Sequence, residues 1–226
     1  MPDLPNDVTP MTPPTDPTPD RPPLVGGSAP HQPDDRRAAL RQLVRTYRAA
    51  LTSEERRSAG EQVAGRLLAV LDDVRRSLPQ EVRPAPVLAL SVPVDGEIDV
   101  TGTAPALRAA GWTVTLPVVV SDRDMEFREW PAHGELVRGR FRVLEPADGP
   151  PREPHVVVVP CVAVDDRGNR LGFGKGFYDR ALGDDPRPVA VGVVFDEQVV
   201  AAVPAEDWDV PLDVVVTPTR VLRPDR

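Results

Sequence analysis

Three stretches of this chain, HVVVVP from His155, VAVGVVF from Val189 and DVVVT from Asp213, run apolar without alternating polar side chains. A strand with one wet face alternates; valine-rich runs of this kind are buried on both faces, as in a parallel sheet covered by helices. PVLALSVP from Pro86 and TVTLPVVV from Thr113 read as further strands, separated by a helix, APALRAAGW, that ends in glycine. MEFREW and RFRVLE read as exposed strands or a ribbon around a loop. Two helices come first. Asp34 or Asp35 can cap RRAALRQLVRTYRAAL, in which Leu40, Leu43, Val44, Tyr47 and Leu51 recur at helical spacing. A second helix starts at Ser53 and stops near Pro79. The fold class is therefore α/β, a layered, mostly parallel sheet with flanking helices.

With 226 residues, 40% hydrophobic and 27% charged, the chain can bury a full core in one domain. The opening stretch, residues 1–34, is dense in proline, threonine and aspartate and lacks the apolar content for a core, so it is expected to be a disordered acidic tail before a single domain over 35–226. It matches neither a secretory signal nor an arginine-rich transit peptide. No segment has the apolar length of a bilayer span, and the net charge of -8 argues against a nucleic-acid surface. The single cysteine, Cys161, allows no intramolecular disulfide and reads as a core thiol in a reducing, cytoplasmic protein. His31, His133 and His155 lack metal-ligand spacing.

GNRLGFGKGFYDRAL, from Gly168 to Leu182, sets Gly172, Gly174 and Gly176 two apart, with Lys175 inside the series and a short helix after it. Such a backbone suits unusual dihedrals or a ligand pressed against the main chain, and a helix start with a lysine beside it suits phosphate. It is not a P-loop, because Asn169 stands five before Gly174 and Gly176 follows Lys175; Phe177 likewise breaks the dinucleotide fingerprint. From spacing alone, a hairpin turn and a phosphate site are equally good readings. On an open α/β sheet, this loop, PVDGEIDV and LPVVVSDRDMEF would converge on the rim at the carboxyl ends of the strands.

RLGFGKGFYDRAL, with RAALR, PVDGEID, LPVVV and MEF, RFRVLEP, VVPCVAVDDRG, FDEQVV and DVPLDVVVTPTRV, resembles the 5-formyltetrahydrofolate cyclo-ligase family across residues 35–222. The resemblance implies the fold shared with glucosamine-phosphate deaminase, ribose-phosphate isomerase and coenzyme A transferases. It also implies a ligase that uses ATP and magnesium to close 5-formyltetrahydrofolate into 5,10-methenyltetrahydrofolate, acting as a monomer without nucleic-acid or membrane partners. By that resemblance Arg37 and Arg41 reach the ATP phosphates, with Arg170, Leu171, Gly172, Phe173, Gly174, Lys175, Gly176, Phe177, Tyr178 and Asp179 closing around the nucleotide. Lys175, Arg170 and Glu97 are the implied catalytic set. Asp179 and Asp209 are the implied magnesium acids, with Asp213 secondary and expected to close a turn. Glu97, Met125, Phe141, Phe177 and Tyr178 are the implied folate contacts, and Gln198 is placed near the nucleotide.

The chain departs from the family pattern at Arg37, commonly lysine, and at Phe177, commonly tyrosine. The first change replaces a point charge with a planar fork and the second removes a hydroxyl. A non-catalytic nucleotide- or folate-binding paralog would be expected to have lost Glu97, Lys175 or Asp179; all three are present.

Overall fold

The computed structural model describes residues 33–225. Helices α1 (Pro33–Ala50) and α2 (Ser53–Ser77) lead into β1 (Val87–Ala89), α3 (Ala104–Ala109), β2 (Thr113–Val119), β3 (Met125–Glu129), β4 (Leu136–Arg138) and β5 (Leu144–Pro146). Then come β6 (Val156–Pro160), β7 (Ala163–Val164), β8 (Arg170–Leu171), α4 (Phe177–Leu182), β9 (Val189–Val193), β10 (Val214–Val216) and β11 (Val221–Leu222). The expected tail falls outside the described residues up to residue 32, while Pro33 and Asp34 already belong to α1. Asp34 and Asp35 therefore lie within the first turn, where they favour the positive end of the helix dipole, and not at the capping position expected for them. At α2 the Thr52 hydroxyl accepts from the Glu55 amide at 3.1 Å while the Glu55 carboxylate accepts from the Thr52 amide at 2.7 Å, a reciprocal cap.

The main sheet has seven strands in the order β11-β10-β9-β6-β1-β2-β3. β10, β9, β6, β1 and β2 are parallel, and an antiparallel strand closes each edge. The apolar runs alternate between two cores, as strands buried on both faces must. Leu88, Val156, Val158, Val191, Val193, Val214 and Val216 pack under α2, which contributes Ala59, Val63, Leu67, Val70, Leu71 and Val74. Ala89, Val157, Val159, Ala190 and Val215 face the other way, towards Phe127 and Leu182 of α4.

From β1 the chain steps through α3 to β2 on one side, then returns to β6 on the other and continues outward through β9 and β10. The order reverses between β1 and β6, which opens a crevice above their carboxyl ends. RFRVLE is not one strand. Arg140–Arg142 forms a 3-10 turn in which Phe141 (φ 57) and Arg142 (φ 63) are left-handed, and only Leu144–Pro146 pairs, with β4.

Candidate active site

A cavity of about 850 Å³ occupies the crevice, large enough for more than one small ligand. The three loops expected on one rim all reach it. Val94 and Glu97 follow β1, Val119 and Met125 bracket the β2–β3 turn, and the 170–179 segment begins with β8. Arg37 and Arg41 of α1 form a further wall, so Arg37, Arg41, Glu97, Met125, Phe141, the run from Arg170 to Asp179, and Asp209 all line this one cavity, whereas Gln198 and Asp213 do not.

The glycine segment is open backbone. Gly174 (φ +89) and Gly176 (φ +67) are both left-handed, and a Cβ at Gly174 would lie 3.2 Å from Arg41 Nη2. Among the described residues, no N–H of residues 172–176 donates to a protein acceptor. Consecutive unpaired amides beside cations form a concavity suited to an anion. Arg41 Nε donates to the Gly172 carbonyl at 2.9 Å, fixing the loop to α1. Burial, and secondarily the charge of Arg37, lowers the Arg41 pKa, a cost that a bound polyanion would relieve. The Lys175 ammonium rests 5.1 Å from the Phe141 ring centroid, and no carboxylate among the described residues pairs with it.

Glu97 is held differently. Its side chain is 7% exposed, and Oε2 accepts from the Val94 amide at 3.0 Å. Oε1 lies 3.6 Å from Arg48 Nη1, an ion pair too long to be a hydrogen bond, so this oxygen is buried without a donor. Burial raises the Glu97 pKa to about 7, against the opposing pull of Arg48. Glu97 thus brings a carboxylate acceptor to the cavity wall. The left-handed Gly96 (φ +74) lets this turn lie on α1, where a Cβ would stand 3.3 Å from Arg48 Cβ.

Each expected magnesium acid is already engaged by an arginine. Arg170, itself buried, donates to Asp179 Oδ1 and to the Val210 carbonyl. Arg37 uses its fork, with Nε to the Pro204 carbonyl at 3.1 Å and Nη2 at 3.4 Å from Asp209 and 3.2 Å from Glu206. Arg37 thus ties α1 to the 204–209 segment. Asp179 and Asp209 each keep an oxygen free of protein donors among the described residues, but no cluster of three potential ligands there could cage a metal.

Met125, Phe141, Phe177 and Tyr178 form an apolar wall, with Phe141 and Phe177 ring centroids 6.2 Å apart. Burial pushes the Tyr178 phenol pKa up, so it stays protonated. Sequence reasoning missed Trp208, which lines the cavity at 71% exposure, and Arg48. Arg41 and Arg48 lie seven apart, two turns on one helix face, and that spacing was the available signal.

Gln198 does not line the cavity. It is fully buried, donating to the Cys161 and Val162 carbonyls and accepting from the Phe195 amide, so it braces the chain after β6. Asp213 accepts from the Ala190 amide at 2.8 Å and from Arg187, a structural role at the start of β10. Cys161 is a core thiol whose pKa burial pushes up to about 12.

The sequence profile of the 5-formyltetrahydrofolate cyclo-ligase family matches residues 33–218. The chain belongs to that family. It is 35% identical to the 5-formyltetrahydrofolate cyclo-ligase of Escherichia coli K12 over 188 residues, 79% of this chain and 98% of that one. It is 31% identical to the Haemophilus influenzae cyclo-ligase over 191 residues, 80% of this chain and 97% of that one. Its fold superposes on the NMR structure of Aquifex aeolicus 5,10-methenyltetrahydrofolate synthetase with a TM-score of 0.66 at 34% identity, covering 83% of this chain and 92% of that one. The glycine segment and Glu97 meet here across one crevice. No helix among the described residues is long and apolar enough to cross a membrane.

Proposed function

We propose that this family member closes 5-formyltetrahydrofolate to 5,10-methenyltetrahydrofolate, converting ATP to ADP and phosphate. The observation that carries this reading is the juxtaposition in one cavity of unpaired amides at residues 172–176 with the buried carboxylate of Glu97. The first suits a triphosphate; the second suits the N–H edge of a pterin.

The formyl group on N5 is amide-like and a poor electrophile. Its oxygen attacks the terminal phosphorus, ADP leaves, and the formyl carbon becomes activated. N10 then attacks that carbon, loses its proton to solvent, and inorganic phosphate departs with the former formyl oxygen. No protein nucleophile is needed; phosphoryl transfer depends on alignment and charge stabilisation. Lys175, Arg41 and the loop amides bear on the charge that spreads over the transferring phosphoryl group. Arg170 acts through Asp179, which it holds in place. Met125, Phe141, Phe177 and Tyr178 receive the flat rings.

Magnesium fits as an ion carried largely by phosphates and water, with the free oxygens of Asp179 and Asp209 able to hold it. When bound, it neutralises phosphate charge.

The test is to mix purified protein with 5-formyltetrahydrofolate, ATP and magnesium and follow the near-ultraviolet absorbance of the methenyl product. The expected trace rises and stays flat when ATP is omitted. A trace that is flat with ATP present, from protein that still binds folate, favours the non-catalytic paralog.

A further inference from the structure

Arg48 stands behind the cavity and has no part in the scheme above. Its side chain is 4% exposed, an expensive place for a guanidinium unless something depends on its charge. Nη2 donates to the Cys161 carbonyl at the end of β6 at 2.7 Å, while its own carbonyl accepts from Arg56 Nη2 at 2.6 Å. Both ends of the residue are therefore fixed. Its Nη1 sits 3.6 Å from Glu97 Oε1, and its Cβ supports the turn at Gly96. Glu97 is thus the carboxylate that faces this buried charge.

We propose that Arg48 is the positioning residue for Glu97, its anchored guanidinium favouring the charged carboxylate and holding it in place at the cavity wall. The inference rests on reading Glu97 as the acceptor of the folate's ring N–H groups. At 3.6 Å the guanidinium charge acts on the carboxylate.

The groups facing Glu97 from each packed element are few. Arg48 comes from α1, Asp95 from Glu97's own turn, Cys161 from the end of β6 and Tyr178 from α4. Asp95 opposes ionisation of Glu97, and burial keeps Cys161 and Tyr178 protonated. Arg48 is thus the one cation in this set.

The deciding experiment measures 5-formyltetrahydrofolate binding without nucleotide, by calorimetry from pH 5.5 to 9, on the full chain and on Arg48→Gln and Arg48→Lys. Thermal melts check folding. Gln keeps a donor for the Cys161 carbonyl but removes the charge, so affinity at pH 7 should fall about 10- to 100-fold. The loss should shrink as pH rises, because the limb on which affinity falls in acid moves up by about one pH unit or more. Lys keeps the charge, so its acidic limb should stay at the wild-type position with affinity reduced only several-fold. A folded Gln variant with wild-type affinity and an unmoved limb overturns the proposal. Should the Gln variant not fold, the Lys variant decides; an acidic limb displaced from the wild-type position although the charge is kept would then overturn it. Wild-type protein that fails to bind the folate at every pH sinks the functional reading, and the role of Arg48 falls with it.

Discussion

Glu97 is buried where its pKa rises to about 7, so the protein's stability should depend on pH through this residue. A glutamate in the unfolded chain ionises near 4.5, so the folded, ligand-free protein holds the proton more tightly than the unfolded chain does. The stability due to neutral Glu97 is fully present below pH 4.5 and is lost as pH rises through about 7. Glu97→Gln removes that dependence. Its melting temperature minus that of wild type should climb between these values and then level off; a flat difference contradicts the burial argument. Lys175 makes the opposite case. It is exposed, so Lys175→Ala should leave the melt unchanged and lower kcat/KM for ATP by on the order of 10- to 100-fold, as loss of a charge-assisted phosphate contact does. Steady-state kinetics over ATP concentration checks it.

At the scale of elements, the 172–176 segment works because its backbone is bare and bent. Gly174→Ala puts a Cβ at φ +89 and within 3.2 Å of Arg41 Nη2. It should cost about 1–2 kcal/mol of stability and displace Arg41 or the loop, cutting turnover more than the melt would suggest. A denaturant titration beside a turnover assay separates the two effects. Much of this architecture was legible beforehand. The valine runs from His155, Val189 and Asp213 became β6, β9 and β10, because burial on both faces leaves no alternation to misread. RFRVLE misled, since its alternating pattern suits a strand, yet left-handed Phe141 and Arg142 fold it into a turn that only the packing around the cavity selects. Gln198 misled for a related reason. Proximity to a motif in sequence does not reveal whether a polar side chain faces a cavity or the backbone behind it.

For the whole molecule, the crevice follows from topology. Strand order reverses between β1 and β6, and the segments that follow both strands carry the site. The glycine segment and Glu97 could be named from the family resemblance, but Arg48 and Trp208 could not, because their roles arise from contacts across the fold. The central claim is that one crevice brings a triphosphate to the formyl oxygen of a reduced folate. It is tested most directly by turnover of substrate carrying ¹⁸O in the formyl group, with the released phosphate read by ³¹P NMR. Phosphate should appear with one ¹⁸O for each methenyl product formed. Unlabelled phosphate alongside methenyl product would contradict the account.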